Sequence, residues 1–483
     1  LKGDLEGFLK ECGRAAEKIR SWINEGRFIS VFTHNDADAL SSAGIIAGAL
    51  RREDARYRVR SLNRIDDFIQ LHQEGYVDAD SVIFTDIGSG YLNELSQLLA
   101  GKSVVILDHH EPSHTDLPET WVHVNPHNYG FDGAREISAS GVSYFTAKAL
   151  NQANVEYSAI AVVGALGDLQ DKDSRRTLHG LNSRIVDEAI NAGLLEAKDD
   201  IILYGRTFRP LHVALSSTTS PYIPGLSGRE DACYSFLTSL GISLKDGDQW
   251  RTLSDLSEEE KKNLYNGLIQ YVVSRGLPSS MVGELVGTSY DLVREELWTY
   301  LRDGREFATL LNACGKTGNA WLGILVAMGA RSDVLEEAQG VLEQYRASLA
   351  KAMDYVSRPG VMEELNNIVV LKGGDVIDER QVSSIASIIS SSGLLPTSKP
   401  LIAFAQAGNM VKISARATKQ LVEKGLNLGA LLSRLSAEYG GKGGGHNIAA
   451  GAEIPSDRII RFLADLDRAV GEQLAKNVGA GGG

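Results

Sequence analysis

The chain has 483 residues, too many for one ordinary core, so roughly two to four domains are expected. Its 43% hydrophobic and 23% charged residues describe a folded globular protein, and no apolar run approaches the roughly 18–20 residues of a membrane span, so no membrane partner is expected. The net charge of −13 argues against a broadly basic polyanion binder; it allows a carboxylate-rich site neutralised by its own cations.

Cys12, Cys233 and Cys314 are too few and too far apart for a disulfide framework or a zinc set, and they fit a reducing, cytoplasmic setting. The first residues mix acids and bases, unlike a secretory signal. They begin at Leu1 rather than Met, so trimming is expected there, and Gly479–Gly483 (GAGGG) reads as a disordered tail.

Residues 1–190 alternate apolar strand runs with helical runs. Strands are expected at Phe28–Thr33, Tyr57–Arg60, Ser81–Thr85, Ser103–Leu107 and Trp121–Val124, with helices such as Ala39–Arg51 and Gly141–Ala153. That alternation implies an α/β domain, a parallel sheet covered by helices on both faces. Residues 191–360 read as a mostly helical insert containing Asn263–Arg275, Tyr290–Asp303 and Ser332–Tyr355, with a capping box at Ser257 and Glu260. Within it Ser216–Arg229 is rich in turn formers and reads as an exposed loop. Residues 361–478 form a smaller α/β domain. Its strands are expected at Asn367–Lys372, Pro400–Ala405, Met410–Ala415 and Asn447–Ile454, and a helix at Leu426–Tyr439.

Three strand ends in the first domain carry metal-ligating residue types. Phe28–Thr33 runs into His34-Asn35-Asp36-Ala37-Asp38, Ser81–Thr85 into Asp86, and Ser103–Leu107 into Asp108-His109-His110. Ligand chemistry in an open parallel sheet collects beyond the carboxyl ends of the strands. In extended backbone His34, Asp36 and Asp38 would share one face. Asp38 alone reads equally as a helix cap, and Asp86 alone as a turn aspartate. Adjacent histidines cannot point the same way, so one of His109 and His110 ligates while the other faces substrate, and Asp108 is placed to orient an imidazole. Asp168 closes the apolar run Ala159–Gly167 and is expected to be paired, solvated or metal-bound. Together these carboxylates and imidazoles suit two Mn²⁺ or Mg²⁺ ions sharing a carboxylate, the arrangement that stabilises phosphoryl displacement. A second block, Gly443-Gly444-Gly445-His446, lacks the Ser or Thr of a P-loop, yet glycine-rich backbone can cradle a phosphate. Upstream of it, Arg416 can grip a phosphate with two hydrogen bonds.

In order, these blocks resemble the four motifs of the DHH phosphoesterase family. By that resemblance His34, Asp36 and Asp86 would hold one metal and Asp38, Asp86, His109 and Asp168 the other, with Mn²⁺ favoured over Mg²⁺, and His110 would face the scissile phosphate. Ala39 departs from the glycine of many members. The block Gly443–His446 resembles the signature of the DHH-associated C-terminal domain, in which Ser414, Arg416, Gly443, Gly444, Gly445 and His446 would bind substrate. That domain would face the first across a cleft holding the active site. Asn125-Pro126-His127 and the length of the insert are most similar to archaeal RecJ-like, GINS-associated nucleases, which gives His127 a place near the phosphate. The resemblance implies a two-metal exonuclease acting on single-stranded DNA or RNA in replication or repair, with the helical insert binding replisome subunits such as GINS. It leaves open a phosphodiesterase of short oligonucleotides or cyclic dinucleotides, and a replisome scaffold with secondary nuclease activity. Tyr204, Arg206, Phe208 and Arg209 could stack on a strand, but such spacing more often means packing.

Overall fold

In the computed structural model, residues 3–77, 80–172, 176–218, 221–391 and 398–478 are described; Gly479–Gly483 lies outside them. The chain divides into two compact units. One contains Leu1–Ala214 and Leu237–Glu343, and the other Leu215–Phe236 and Gln344–Gly483.

The first unit is built on a five-stranded sheet of β1 (Phe28–Thr33), β2 (Arg56–Ser61), β3 (Ser81–Thr85), β4 (Ser103–Leu107) and β5 (Trp121–Val124), ordered β2-β1-β3-β4-β5. Every pairing is parallel. β3 and β5 are buried throughout and β4 nearly so, as expected of strands covered on both faces. The helices are α1 (Leu5–Asn24), α2 (Ala37–Arg52), α3 (Ile65–Gln73), α4 (Leu92–Leu98), α5 (Ala139–Leu150), α6 (Ser158–Gly167) and α7 (Gly180–Asn191). One face of the sheet packs Phe32, Phe68 and Phe84 edge-on at 4.8 and 4.9 Å between ring centres. The chain leaves β1 toward β2 on one side and later enters β3 on the other. The crevice beyond the ends of β1 and β3 is therefore the topological switch point.

α2 is buried along most of its length because its sequence, ADALSSAGIIAGALRR, is nearly all small or apolar. It packs against α5, α6 and two helices from later in the chain, Gly304–Lys316 and Ala320–Ala327. A Cβ on Gly44 would lie 2.5 Å from that of Ala327, so glycine sets this helix separation.

The middle region departs from expectation in two places. Val286–Leu292 is a strand, antiparallel to β6 (Leu195–Ile201), and the helix expected over Tyr290–Asp303 does not form. A charge cluster explains this. Buried Arg206 holds Asp303 at 2.7 Å, Asp200 at 3.4 Å and Asp291, whose carboxylates arrive from separate segments. Arg206 is thus a packing residue. The stretch Ser216–Arg229 is not an exposed loop either, although Thr219 and Ser220 lie outside the described residues. Ile223 and Leu226 are buried, and Ser227 Oγ accepts from Ile223 N and donates to the Thr218 carbonyl.

The second unit holds a mixed sheet of Met362–Glu364, Val369–Lys372, Leu401–Ala407, Met410–Arg416, Ala449–Pro455 and Lys442–Gly445, in that spatial order. Ile402, Ile413 and Ile454 face Leu432, Phe462 and Leu466 of the helices Leu428–Glu438 and Ile459–Val478. The glycine block is itself an edge strand. Among the described residues, no helix is long and apolar enough to cross a membrane.

Burial opposes the charge on Arg206, but Asp303 and Asp291 outweigh it and hold the guanidinium firmly protonated. Removing it leaves Asp303 without a cation in the interior, while Asp200 keeps Lys261 at 2.9 Å and Asp291 keeps only Lys198 at 3.9 Å. Arg206→Met should therefore cost about 3–5 kcal/mol in denaturant unfolding; a loss below about 1 kcal/mol would mean the cluster is not what fixes this region.

Candidate metal centre

The motif residues converge at the switch point. Asp36 caps α2, its Oδ1 accepting from Ala39 N at 3.0 Å, while its Oδ2 lies 3.0 Å from His34 Nδ1. The capping role falls to Asp36, and Asp38 lies inside the first turn of the helix. There its two oxygens accept from Ala139 N at 2.7 Å and Ser140 N at 2.9 Å, the amides that open α5. A helix N-terminus favours negative charge, which fixes this carboxylate in place. Gly164 of α6 makes the approach possible, since a Cβ there would sit 2.5 Å from Asp38 Oδ1. The last turn of α6 then delivers Asp168.

Asp86 follows β3 with φ +58°, a left-handed conformation uncommon for residues other than glycine. Strain of that kind persists only when the surroundings enforce it. Its Oδ1 is buried and accepts no hydrogen bond, although His109 Nε2 stands 3.3 Å away. His109 Nδ1 is 2.6 Å from the Gly133 carbonyl and donates to it. Nε2 is thereby the atom turned toward Asp86 and toward Asp38 at 3.9 Å, the tautomer a cation requires. Donor atoms gather in overlapping sets: His34, Asp36 and Asp86; Asp38, His109 and Asp168; Asp86, Asp108, His109 and His110.

The electrostatics describe a cluster short of positive charge. Burial, followed by the charges of Asp36 and Asp38, pushes the Asp86 carboxyl well above its usual range. Burial, opposed by His109 but reinforced by Asp38, raises Asp168 to about 6. His109 is raised too: burial opposes its charge, and Asp86, Asp168 and Asp38 outweigh that. His34 outweighs burial and holds the Asp36 carboxyl well below its usual range, whereas the raised Asp86 and Asp168 and the orphaned buried oxygen of Asp86 fit divalent cations, and the oxygen and imidazole donors suit Mn²⁺ or Mg²⁺.

His110 is held apart from its neighbour. Asp108 Oδ1 takes its Nδ1 at 2.8 Å and the His109 amide at 2.8 Å, while Asp108 Oδ2 accepts from Ser89 N. Burial disfavours the imidazolium, but Asp108 overrides it and lifts the His110 pKa to about 9. His127 does not join the donors; its Nε2 lies 3.1 Å from the His109 carbonyl, behind the site. In the second unit, Ser414 and Arg416 end one strand with Oγ and Nη1 3.0 Å apart, and Arg416 also reaches Ser383 and Ser387. Ser414 pairs with Gly451, which pairs with Gly444, so Ser414 and Gly444 sit level across three strands. A Cβ on Gly444 would meet nothing within 4 Å, and Gly445 takes φ +133° before His446.

Several contributors have no motif. Gln170 donates to Asp168 Oδ2 at 2.9 Å and to the Gly133 carbonyl at 2.8 Å, and is steadied by Asn182 at 2.6 Å. From the helix Gly304–Lys316, Asn312 Oδ1 accepts from Ala37 N at 2.9 Å. Lys316 projects its charge onto His34 and Asp36, and among the described residues it makes no ion pair or hydrogen bond. Gln170 stands two residues from Asp168 and could have been suspected. Nothing in the sequence points from Asn312 or Lys316 to a loop some 275 residues earlier.

Three family models match the chain. The DHH family N-terminal domain matches residues 28–167, the DHH-CID domain 203–286 and the DHHA1 domain 366–472. A protein from Methanocaldococcus jannaschii, MJ0831, described as uncharacterized, is 31% identical over 473 residues, spanning 97% of this chain and 99% of its own length. The chain belongs to the DHH family. Its architecture is RecJ-like. RecJ from Thermus thermophilus in complex with Mn²⁺ superposes with a TM-score of 0.57 at 19% identity, over 96% of this chain and 55% of that one. CDC45 from Entamoeba histolytica superposes with a TM-score of 0.65 at 14% identity, over 95% of this chain and 99% of that one. At such identities these likenesses establish the fold.

The helix Gly304–Lys316 presses directly on the first motif, since a Cβ on Gly315 would lie 1.8 Å from the Asn35 carbonyl. Gly315→Ala should displace the His34–Asp38 loop and weaken Mn²⁺ binding by about 10–100-fold, as loss of other supporting contacts does. Calorimetric titration would read it; unchanged affinity would show the loop is set elsewhere.

Proposed function

We propose that this DHH protein is a metal-dependent exonuclease that hydrolyses phosphodiester bonds of single-stranded DNA or RNA and releases mononucleotides. The observation that carries the reading is the buried Asp86 carboxylate, which has an orphaned oxygen and belongs to two of the three donor sets. His34, Asp36 and Asp86 would hold one divalent cation and Asp38, Asp86, His109 and Asp168 a second, Mn²⁺ being favoured. Bound there, the ions would supply positive charge against the attacking and leaving oxygens of the displacement.

The protein groups have their own tasks in this reading. Asp38, tied to the start of α5, and Asp168, tied by Gln170, keep donor positions fixed. His110, charged at neutral pH and anchored through Nδ1, presents Nε2 to the scissile phosphate and passes a proton to the leaving oxygen. Lys316 extends a cation toward the same phosphate. Ser414, Arg416 and the Gly443–His446 backbone bind phosphates of the strand. The likeness to CDC45 supports a second reading, a replisome scaffold that meets other subunits such as GINS through the helical insert. Retention of every donor favours the enzyme, because unneutralised carboxylates carry a repulsion cost a scaffold has no use for.

A labelled single strand incubated with Mn²⁺ should yield mononucleotides, and Asp36→Ala or Asp86→Ala should abolish the reaction. Full activity in either variant would remove the two-cation assignment. His110→Ala should lower kcat by about 10²–10⁴-fold while Mn²⁺ affinity stays near that of the parent; a parallel fall in Mn²⁺ affinity would make His110 a ligand instead.

A further inference from the structure

The densest basic stretch in this acidic chain is Arg51–Arg64, RREDARYRVRSLNR, with six arginines against two acids. Arg56, Arg58 and Arg60 alternate along β2, the edge strand of the first unit's sheet, and so share one face. Residues two apart on a strand lie about 6.6 Å from each other, close to the repeat between phosphates of an extended single strand.

Among the described residues none of the three makes an ion pair. Arg56 Nη2 donates to the Gly26 carbonyl, and Arg58 donates to Ser30 Oγ at 3.2 Å and the Tyr76 carbonyl at 2.7 Å. Those acceptors steady the side chains without cancelling charge. Among the described residues Arg60 has neither a hydrogen bond nor an ion pair. Of the two acids in the stretch, Glu53 is engaged elsewhere, accepting from Asn151 at 2.7 Å. Two exposed aromatics flank the row. Phe28, 40% exposed, pairs in register with Arg56 and lies under the Arg58 guanidinium at 5.9 Å; Tyr76 is 58% exposed. The strand runs toward the metal centre, for just beyond β2 the Asn63 carbonyl is 3.2 Å from His34 Nε2 and its side chain accepts from Asn35 at 2.8 Å.

We infer that the free edge of β2 is a track for single-stranded nucleic acid, in which Arg56 and the half-buried Arg58 and Arg60 bind successive phosphates and Phe28 and Tyr76 stack on bases. A row of cations interleaved with aromatics is what such strands bind without regard to sequence. The inference rests on the exonuclease reading and deepens it, since it assigns the strand beyond the scissile bond a path along the sheet edge to His34. It also resolves the charge problem: a chain of net charge −13 needs only a local basic row, and this one ends at the catalytic motif.

The test compares the parent with Arg60→Gln and with Arg56→Gln/Arg58→Gln/Arg60→Gln on a dinucleotide and on a strand of about 20 nucleotides. On the long strand KM should rise about tenfold or more in the triple variant and severalfold in Arg60→Gln. On the dinucleotide, too short to reach the row, the change should stay below about twofold. The dependence of log KM on log salt should flatten by about 2, three phosphate contacts at roughly 0.7 each. Equal losses on both substrates, or none on either, would overturn the track. Arg60→Gln removes no hydrogen bond or ion pair among the described residues, so it remains informative even if the triple variant unfolds. If the parent cleaves neither substrate, the exonuclease reading fails by itself; fluorescence anisotropy of the labelled strand against parent and Arg60→Gln then decides the track, equal affinities ruling it out.

Discussion

Four carboxylates, Asp36, Asp38, Asp86 and Asp168, crowd together, Asp38 and Asp86 buried, Asp36 half-buried and Asp168 exposed, with too little positive charge to balance them. Everything near the switch point answers to that constraint. Each is held by a different device: a helix cap for Asp36, the opening amides of α5 for Asp38, a left-handed backbone for Asp86 and the Gln170 amide for Asp168. Such devices stabilise individual side chains, but they leave the mutual repulsion in place. It shows in the raised carboxyls of Asp86 and Asp168. A site built this way has a standing affinity for divalent cations, because they remove a cost the fold has already accepted.

The fold places this crowding where a parallel sheet has room for it. β1 and β3 are neighbours whose connections leave in opposite directions, and the first two motifs lie at their ends. α2 and α6 bring Asp38 and Asp168 in from the side, and small residues such as Gly164 let the backbone come close. Support also arrives from far along the chain. The helix Gly304–Lys316 abuts Asn35 through Gly315 and holds Ala37 N through Asn312. Anything that moves this helix, a partner bound to the helical region included, therefore bears on the first motif.

The parts that were legible in the sequence are those whose physics is local. The strands β3 and β4 carry apolar runs, as do β1 and β5 with one interior polar residue each, Ser30 and His123, and the polar residues that follow were visible as interruptions. The strand Val286–Leu292 was not visible, because VGTSYDL lacks such a run and its fate depends on Arg206, some 80 residues earlier, drawing in Asp291. The same holds for Ser216–Arg229, whose turn formers hid the burial of Ile223 and Leu226. In the site, the gathering of His34, Asp36, Asp38, Asp86, His109 and Asp168 was legible because carboxylates and imidazoles at the ends of apolar runs stand out in the sequence. The Gly133 carbonyl, the Ser89 amide and Asn312 escaped notice, since a backbone group or an amide 275 residues distant has no signature in linear spacing.

Net charge is the feature of the composition that says least about a local surface. A net of −13 averages an acidic surface, a carboxylate site and the arginines of β2 into a single number, and the average points away from polyanions. Electrostatic steering depends on local fields, which fall off within about a Debye length of roughly 8 Å at physiological ionic strength. Over that range Arg56, Arg58 and Arg60 present an uncompensated cationic edge, whatever the far side of the molecule carries. Negative charge elsewhere can sharpen such an arrangement by discouraging a polyanion from settling on any other surface. An acidic DHH protein with a basic strand ending beside His34 is thus electrostatically compatible with the proposed single-stranded substrate.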